Sequence, residues 1–465
     1  MRSVSRERGF DKITLFLLLA LALIGVIMNY AVEYPDAGHL FQLPWVTHYQ
    51  KQSFFLILGA FIFLLVFFLD RKIWDSLAYP IYFIGLLSLI AVVLFGHTVK
   101  GSTSWFIIGG FTIQPSEFVK FGTALALASF LAHYTTALKR LSDRALSMAI
   151  IITPMALILL QPDAGSAMVF SVLFIVLLRA GLSKIYYLYA IILFLTLIFS
   201  LQYPLPTVSF ILIAVAVFLM AYNQKDRSSW ILAALGVMSF SGLFLYQTAS
   251  WWSLIPGVIL LALLFSASIR QNQWQTSAII VIALISLLSA SVVTGVVFQK
   301  VLKPHQKERI NAWLNPEDAD PQGSLYNLIQ SQMAIGSGGL SGKGYLNGAM
   351  TQLDYVPEQS TDFIFSTIGE EFGFIGGIIV IGLCFGLIFR VLHLAERMKT
   401  PFGMYYAYGV ASVFFFHVMV NIGMTMGLLP VIGIPLPFVS YGGSSILAFS
   451  LMFAVVLRLY ADERR

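Results

Sequence analysis

Charge is scarce in this chain. Asp, Glu, Lys and Arg make up 11% of 465 residues, and 58% are hydrophobic. A soluble domain carries about 25% charged residues, so a soluble globular fold is excluded and a polytopic membrane protein is expected. The net charge of +6 is scattered over short loops rather than gathered in a patch. It therefore describes membrane topology, not a nucleic-acid footprint. Cysteine is nearly absent. The one residue, Cys384, lies in an apolar run, which excludes an internal disulfide and any cysteine-based metal cluster. His133, His393 and His417 are dispersed without metal-ligand spacing and read as satisfied or interfacial side chains. There is no repeat of 20–50 residues and no heptad pattern. The glycine-rich run 336–344 lacks the spacing of a phosphate-binding P-loop. It reads either as a flexible linker or as a backbone nest for an anion.

What is present is a series of apolar runs near the ~20 residues that a bilayer core requires. They fall at about 13–31, 53–69, 77–96, 117–133, 145–161, 165–180, 184–202, 207–222, 229–246, 252–269, 277–298, 362–389, 402–425 and 443–460. The expected class is an all-α helical bundle in a single membrane-embedded domain, residues 1–465. The basic start, residues 1–12, followed by apolar Ile13 to Met28, reads as an uncleaved first span. With both termini cytoplasmic, most of the 28 Lys and Arg residues fall on the cytoplasmic side. More than half of the 22 carboxylates fall on the other. That outer side receives the loop His97–Glu117, the link Gln161 to Gly165, the long loop 299–361 and a proline-broken stretch, Leu428 to Ser445. Long loops in compact membrane domains are usually functional. Within 299–361 lie an acidic turn at 315–321 and a candidate amphipathic helix, Ser324 to Ile335.

The stretch Thr351 to Glu371 carries Asp354, Glu358, Asp362, Glu370 and Glu371 and runs from polar chain into a hydrophobic segment. Asp362 stands at the junction. A carboxylate at a membrane face is costly to desolvate, so it either serves function or caps a helix with Thr361. Three other outer elements are placed to join it. In Gln114 to Lys120, Ser116 reads as an N-cap, and Glu117 and Lys120 share one helix face. Asp163 sits at a helix junction and reads as a cap. Asn421 to Ser445 holds Pro430, Pro435, Pro437 and a Gly442-Gly443 pair. Broken backbone at membrane depth requires burial in protein or a polar cavity. A cavity with carboxylates and cations suits either a transporter with a midplane site or an enzyme acting on a membrane-bound substrate. The nearly charge-free middles of the spans favour the enzyme.

At these elements the sequence resembles the SEDS family of bacterial shape, elongation, division and sporulation proteins. The motifs are Trp105 with Gln114-Pro115-Ser116-Glu117-Phe118-Val119-Lys120, then Gln161-Pro162-Asp163-Ala164-Gly165, Arg309, Trp313, Asp320-Pro321 and Gln330-Ser331. They continue through Gly338-Gly339, Gly342-Lys343-Gly344, Val356-Pro357-Glu358, Thr361-Asp362-Phe363-Ile364-Phe365 and Gly369-Glu370-Glu371-Phe372-Gly373. The last run from Gly427-Leu428-Leu429-Pro430 to Pro435-Leu436-Pro437-Phe438-Val439-Ser440-Tyr441-Gly442-Gly443-Ser444. They cover 13–183 and 299–460 in family order.

The resemblance implies about ten core transmembrane helices, with 184–298 supplying about four extra spans as an insertion. It implies a peptidoglycan glycosyltransferase of cell elongation and shape that polymerises lipid II at the outer face of the cytoplasmic membrane. It implies membrane lipid and a class B penicillin-binding protein as partners, and no nucleic acid. Asp362 becomes the general base. Trp105, Glu117, Lys120, Arg309, Lys343, Glu358 and Ser440 become substrate-binding candidates, with a divalent cation, Mg or Mn, as a candidate at Asp362. A lipid II flippase and a non-catalytic scaffold for a transpeptidase stand as alternatives. Ser104 and Ser360 depart from the family, which often has a basic residue before the Trp and His before the Thr-Asp pair.

Overall fold

The computed structural model describes residues 11–34, 47–99, 101–108, 111–133, 138, 140–248, 250–321 and 323–463. The basic start at 1–10, Lys139 and the last two arginines lie outside the described residues. The chain runs α1 (Lys12–Glu33), α2 (His48–Phe68), α3 (Arg71–Ser76), α4 (Ala78–Phe95), β1 (His97–Val99), β2 (Ser102–Ile108), β3 (Phe111–Ile113), α5 (Pro115–His133), α6 (Leu141–Leu159), α7 (Ala164–Ser171) and α8 (Phe174–Arg179). It continues with α9 (Lys184–Gln202), α10 (Leu205–Tyr222), α11 (Arg227–Thr248), α12 (Ile255–Arg270), α13 (Trp274–Val296), α14 (Pro304–Leu314), α15 (Ser324–Ser337), α16 (Ala349–Gln352), α17 (Ile364–Arg397), α18 (Pro401–Thr425) and α19 (Gly443–Glu463).

The protein is a multi-pass, predominantly helical membrane protein. Among the described residues, 12 helices are long and apolar enough to cross a membrane. The expected spans at 117–133 and 165–180 are helical too, as α5 and the α7–α8 pair. α5 is buried almost from end to end, so its polar side chains face protein rather than lipid.

The chain forms two compact units, one of residues 1–182 with 308–465 and one of residues 183–307. The second holds α9 to α13 around Val217, Leu264, Leu284 and their neighbours. Three pairs of its polar side chains satisfy one another. Gln224 donates to Ser268 Oγ at 2.8 Å, Ser200 to Ser291 Oγ at 2.7 Å, and Tyr189 shares a 2.7 Å bond with Ser286.

In the first unit α5 packs against α4, α18, α6 and α19, and α17 packs against α18 and α1. Four differences from the sequence reading bear on the site. The loop 97–117 contains an antiparallel sheet in the order β1-β2-β3. The Thr, Trp, Phe and Ile content of Ser102–Ile108 suits strands, and Gly101 at φ +84 takes the turn before it. Asp362 does not cap α17, because the N-cap is Phe363 and no side chain bonds there. Ser116 lies inside the first turn of α5, its buried hydroxyl without a hydrogen-bond partner among the described residues.

The fourth difference is the glycine-rich run. It is no loose linker. Gly373 breaks α17 with φ 62, ψ −158. The N–H groups just after the break bond to the run: Phe374 to Gly339 O at 2.9 Å and Ile375 to Leu340 O at 3.2 Å. In return Lys343 and Gly344 donate to the carbonyls of Glu370 and Glu371 at 3.0 Å each. A Cβ on Gly342, at φ +81, would stand 2.1 Å from Glu371 O. Only glycine permits this backbone-to-backbone contact.

Candidate functional site

The helix ends named from the sequence come together. Gln114, just before α5, donates from Nε2 to Asp163 Oδ2 at 3.0 Å and Ser166 Oγ at 3.1 Å. Its backbone N–H reaches Ser444 Oγ at 3.1 Å. Asp163 also caps α7, accepting from Ser166 N at 3.0 Å, as expected of a junction carboxylate. The sheet joins the same end, since Thr103 N donates to Gln161 O at 3.2 Å. Trp105, on β2 opposite His97, is half-buried. The family-departing Ser104 is buried and shares a 2.6 Å bond with Ser102.

One turn into α5, Glu117 Oε1 and Lys120 Nζ form a 2.7 Å ion pair, with both side chains at most 6% exposed. Glu117 Oε2 is buried without a hydrogen-bond partner among the described residues. Lys120 Nζ also lies 2.9 Å from His417 Nε2, and His417 Nδ1 lies 3.2 Å from Pro435 O. The sequence reads His417 as a satisfied or interfacial side chain, and satisfied it is, but nothing there links it to Lys120. It lies 297 positions from Lys120, and no spacing links them.

The broken segment after α18 is held by side chains that replace the missing helical bonds. Asn421 donates to Asp362 O and Ile434 O, 2.8 Å each. Asn29 of α1 donates to Val439 O at 3.0 Å, and Gln52 of α2 to Phe438 O and Val439 O at 3.3 Å. Leu436 N donates to Ser440 Oγ at 2.9 Å, so Ser440 serves the turn itself. Tyr441 N donates to Ser360 O at 2.8 Å, which ties the segment to the residue two before Asp362. Ser360 Oγ in turn meets His48 Nδ1 at 3.1 Å, and the His48 ring stacks on Tyr441 at 4.6 Å. Every carbonyl so satisfied is one that need not face hydrocarbon.

Asp362 is half-buried at the mouth of this arrangement. Its backbone N–H, with those of Thr361 and Phe363, donates to Glu358 O at 3.1–3.3 Å. Glu358 is exposed at φ 60, and its carboxylate takes the Thr361 hydroxyl at 3.1 Å. Arg309, from α14, donates to Ile432 O at 3.2 Å. Gly433 follows at φ +78. A Cβ there would lie 3.2 Å from Asp362 Oδ2 and 3.9 Å from Arg309 Nη1. The carboxylate and the guanidinium thus face one glycine.

Lys343 is engaged elsewhere. Its ammonium donates to Glu370 Oε1 at 2.7 Å, and the Glu370 carboxylate also accepts from Met350 N, Thr351 N and Thr351 Oγ1 at 2.8–2.9 Å. Among the described residues no group of three or more His, Cys, Asp or Glu is arranged to hold a metal ion.

This arrangement is a half-exposed carboxylate beside a guanidinium, backed by a buried Glu-Lys-His chain and walled by pinned, irregular backbone. It suits proton removal at Asp362 and stabilisation of anionic oxygens by Arg309 and Lys120.

Comparison with known proteins identifies the family. A family model described as cell cycle protein, FtsW/RodA/SpoVE, matches residues 11–219 and 206–465. The peptidoglycan glycosyltransferase RodA of Treponema pallidum is 35% identical over 99% of this chain and the whole of that protein. The peptidoglycan glycosyltransferase MrdB of Escherichia coli K12 is 28% identical over 98% of this chain and 94% of its own. A solved chain from work on polymerization and crosslinking by a peptidoglycan synthase complex is 25% identical, with TM-score 0.58 and 98% of each chain covered. The crystal structure of Thermus thermophilus rod shape determining protein RodA shares the fold at TM-score 0.57 and 23% identity, again over 98% of each chain.

Proposed function

The chain belongs to the FtsW/RodA/SpoVE family of cell cycle proteins and is a peptidoglycan glycosyltransferase, and from that premise we propose that it polymerises lipid II with Asp362 as general base. The donor sugar of lipid II is α-linked through C1 to undecaprenyl pyrophosphate, and the glycan product is β-linked. The acceptor 4-hydroxyl therefore attacks C1 from the face opposite the leaving group. Its proton passes to Asp362, and the C1–O bond to the pyrophosphate breaks with its electron pair on the phosphate oxygen. One positioned base suffices for such an inverting displacement.

Arg309 lies beside Asp362 across Gly433 and supplies a cation for the developing pyrophosphate charge. Lys120 has two of its three N–H groups engaged by Glu117 and His417. The third donates to a phosphate oxygen. The unpartnered Glu117 Oε2 accepts from a sugar hydroxyl. Trp105 lines the approach from the sheet, and Glu358 positions Thr361. The prenyl tails lie among the lipid-facing helices. The reaction takes place at the outer face of the cytoplasmic membrane, with both termini cytoplasmic. A class B penicillin-binding protein crosslinks the product.

The observation that carries this reading is the convergence of Asp362 and Arg309 on Gly433. Asp362→Ala and Asp362→Asn are expected to abolish conversion of labelled lipid II into glycan while the purified protein keeps its gel-filtration profile. Conversion at the normal rate would remove Asp362 from the mechanism. Transbilayer movement of lipid II in proteoliposomes without any polymer would turn the reading towards transport.

A further inference from the structure

We infer that His417 is a positioning residue for the reaction. It aims the ammonium of Lys120, and so depends on the reading of Lys120 as a phosphate ligand given above. An isolated lysine ammonium on its four-carbon stem is a mobile point charge. Lys120 is not isolated. One N–H goes to Glu117 Oε1 at 2.7 Å and a second to His417 Nε2 at 2.9 Å. An ammonium nitrogen is tetrahedral, so two fixed N–H bonds dictate where the third points. Glu117 alone would leave Nζ free to swing about a single contact.

His417 is itself fixed. To accept from Lys120 at Nε2 it must carry its proton on Nδ1, and that N–H has an acceptor, Pro435 O at 3.2 Å. The second-nitrogen partner sets the tautomer that the first nitrogen needs. The ring also stands edge-on to Phe449, 5.0 Å between centroids at 88°. Phe449 receives Lys120 Nζ at 5.6 Å from its centroid. Both polar side chains are 1% exposed, so water does not compete for these bonds. Pro435 belongs to the same broken segment that carries Gly433. His417 thereby ties the position of the ammonium to the backbone that faces Asp362.

The two ring nitrogens can be tested separately. Gln places an acceptor near the position of Nε2, and Asn places a donor near the position of Nδ1. The assay is conversion of labelled lipid II by the full chain with a class B penicillin-binding protein present. His417→Gln is expected to fall by no more than about threefold, while His417→Asn and His417→Leu fall by about 10- to 100-fold. Thermal unfolding of each purified variant separates a misfolded protein from a mispositioned lysine. The expected pattern is that Asn and Gln melt alike and differ in rate. An active Asn variant beside an inactive Gln variant would overturn the inference, because the loop contact would then be what matters. Lys120→Met distinguishes the levels. If it polymerises normally, the reading of Lys120 fails. If it is inactive and the Gln variant is inactive too, only the role of His417 fails.

Discussion

Asn421 holds Asp362 by its backbone. The amide Nδ2 lies 2.8 Å from the Asp362 carbonyl and 2.8 Å from the Ile434 carbonyl, so one side chain joins the start of α17 to the broken segment after α18. The Asp362 carboxylate takes no part in this contact, so position and chemistry can be separated. Asn421→Ala leaves two carbonyls without this donor, at about 1–3 kcal/mol. It should lower lipid II polymerisation by about 10- to 100-fold, since a misplaced base loses rate steeply. Asn421→Asp, which cannot donate, should do no better. Polymerisation rates set beside melting temperatures check both.

Gly433 offers a steric test. Its φ of +78 disfavours any side chain, and an added methyl would sit 3.2 Å from Asp362 Oδ2. Gly433→Ala should cost about 1 kcal/mol in stability and remove most polymerisation by filling the space between the acid and Arg309. Melting temperature and product length on a gel are the measurements.

Lys343 and Glu370 form an unequal pair. Glu370 is 0% exposed and collects four hydrogen bonds, whereas the Lys343 side chain is 31% exposed. Removing the carboxylate leaves buried N–H groups unpaired, and removing the ammonium does not. Glu370→Ala should therefore lower the melting temperature much more than Lys343→Met. Lys343→Met should keep polymerisation within a few-fold of the parent.

Low pH should reveal the tie between α1 and α17. Burial alone would raise the Asp11 carboxyl, but hydrogen bonds from Arg390 and from Thr14 outweigh it and hold it at about 2, below its ordinary 3.8. The folded value is depressed, so the stabilisation is complete above about pH 4 and is lost as pH falls through 2. It amounts to about 2 kcal/mol. Melting curves from pH 6 to pH 2 should fall more steeply for the parent than for Asp11→Asn, which starts lower.

The spans were legible because hydrocarbon imposes length and composition on each helix separately, and fourteen apolar runs became helices. The convergence of Gln114, Asp163, Asp362 and the proline-broken segment was legible too, because polar residues at apolar boundaries need company. The pairing of Lys120 with His417 was not. An isolated histidine in an apolar run gives no sign of which nitrogen is used or by whom. Of the two readings of the run 336–344, the flexible linker fails for a similar reason. Glycine signals both looseness and close approach, and only the partner backbone at 369–375 tells them apart. The sheet at 97–113 was hidden by its short strands.

The interruption at Gly373 also settles a matter of length. Unbroken, the 34 residues of α17 would extend ~51 Å at 1.5 Å per residue, against a hydrocarbon thickness of ~30 Å. From Phe374 to Arg397 the helix measures ~36 Å, enough for one crossing with modest tilt. The surplus before the break, with Glu370 and Glu371 on it, is instead bonded through its carbonyls to Lys343 and Gly344. A single residue without a side chain thus divides anchor from workbench within one helix.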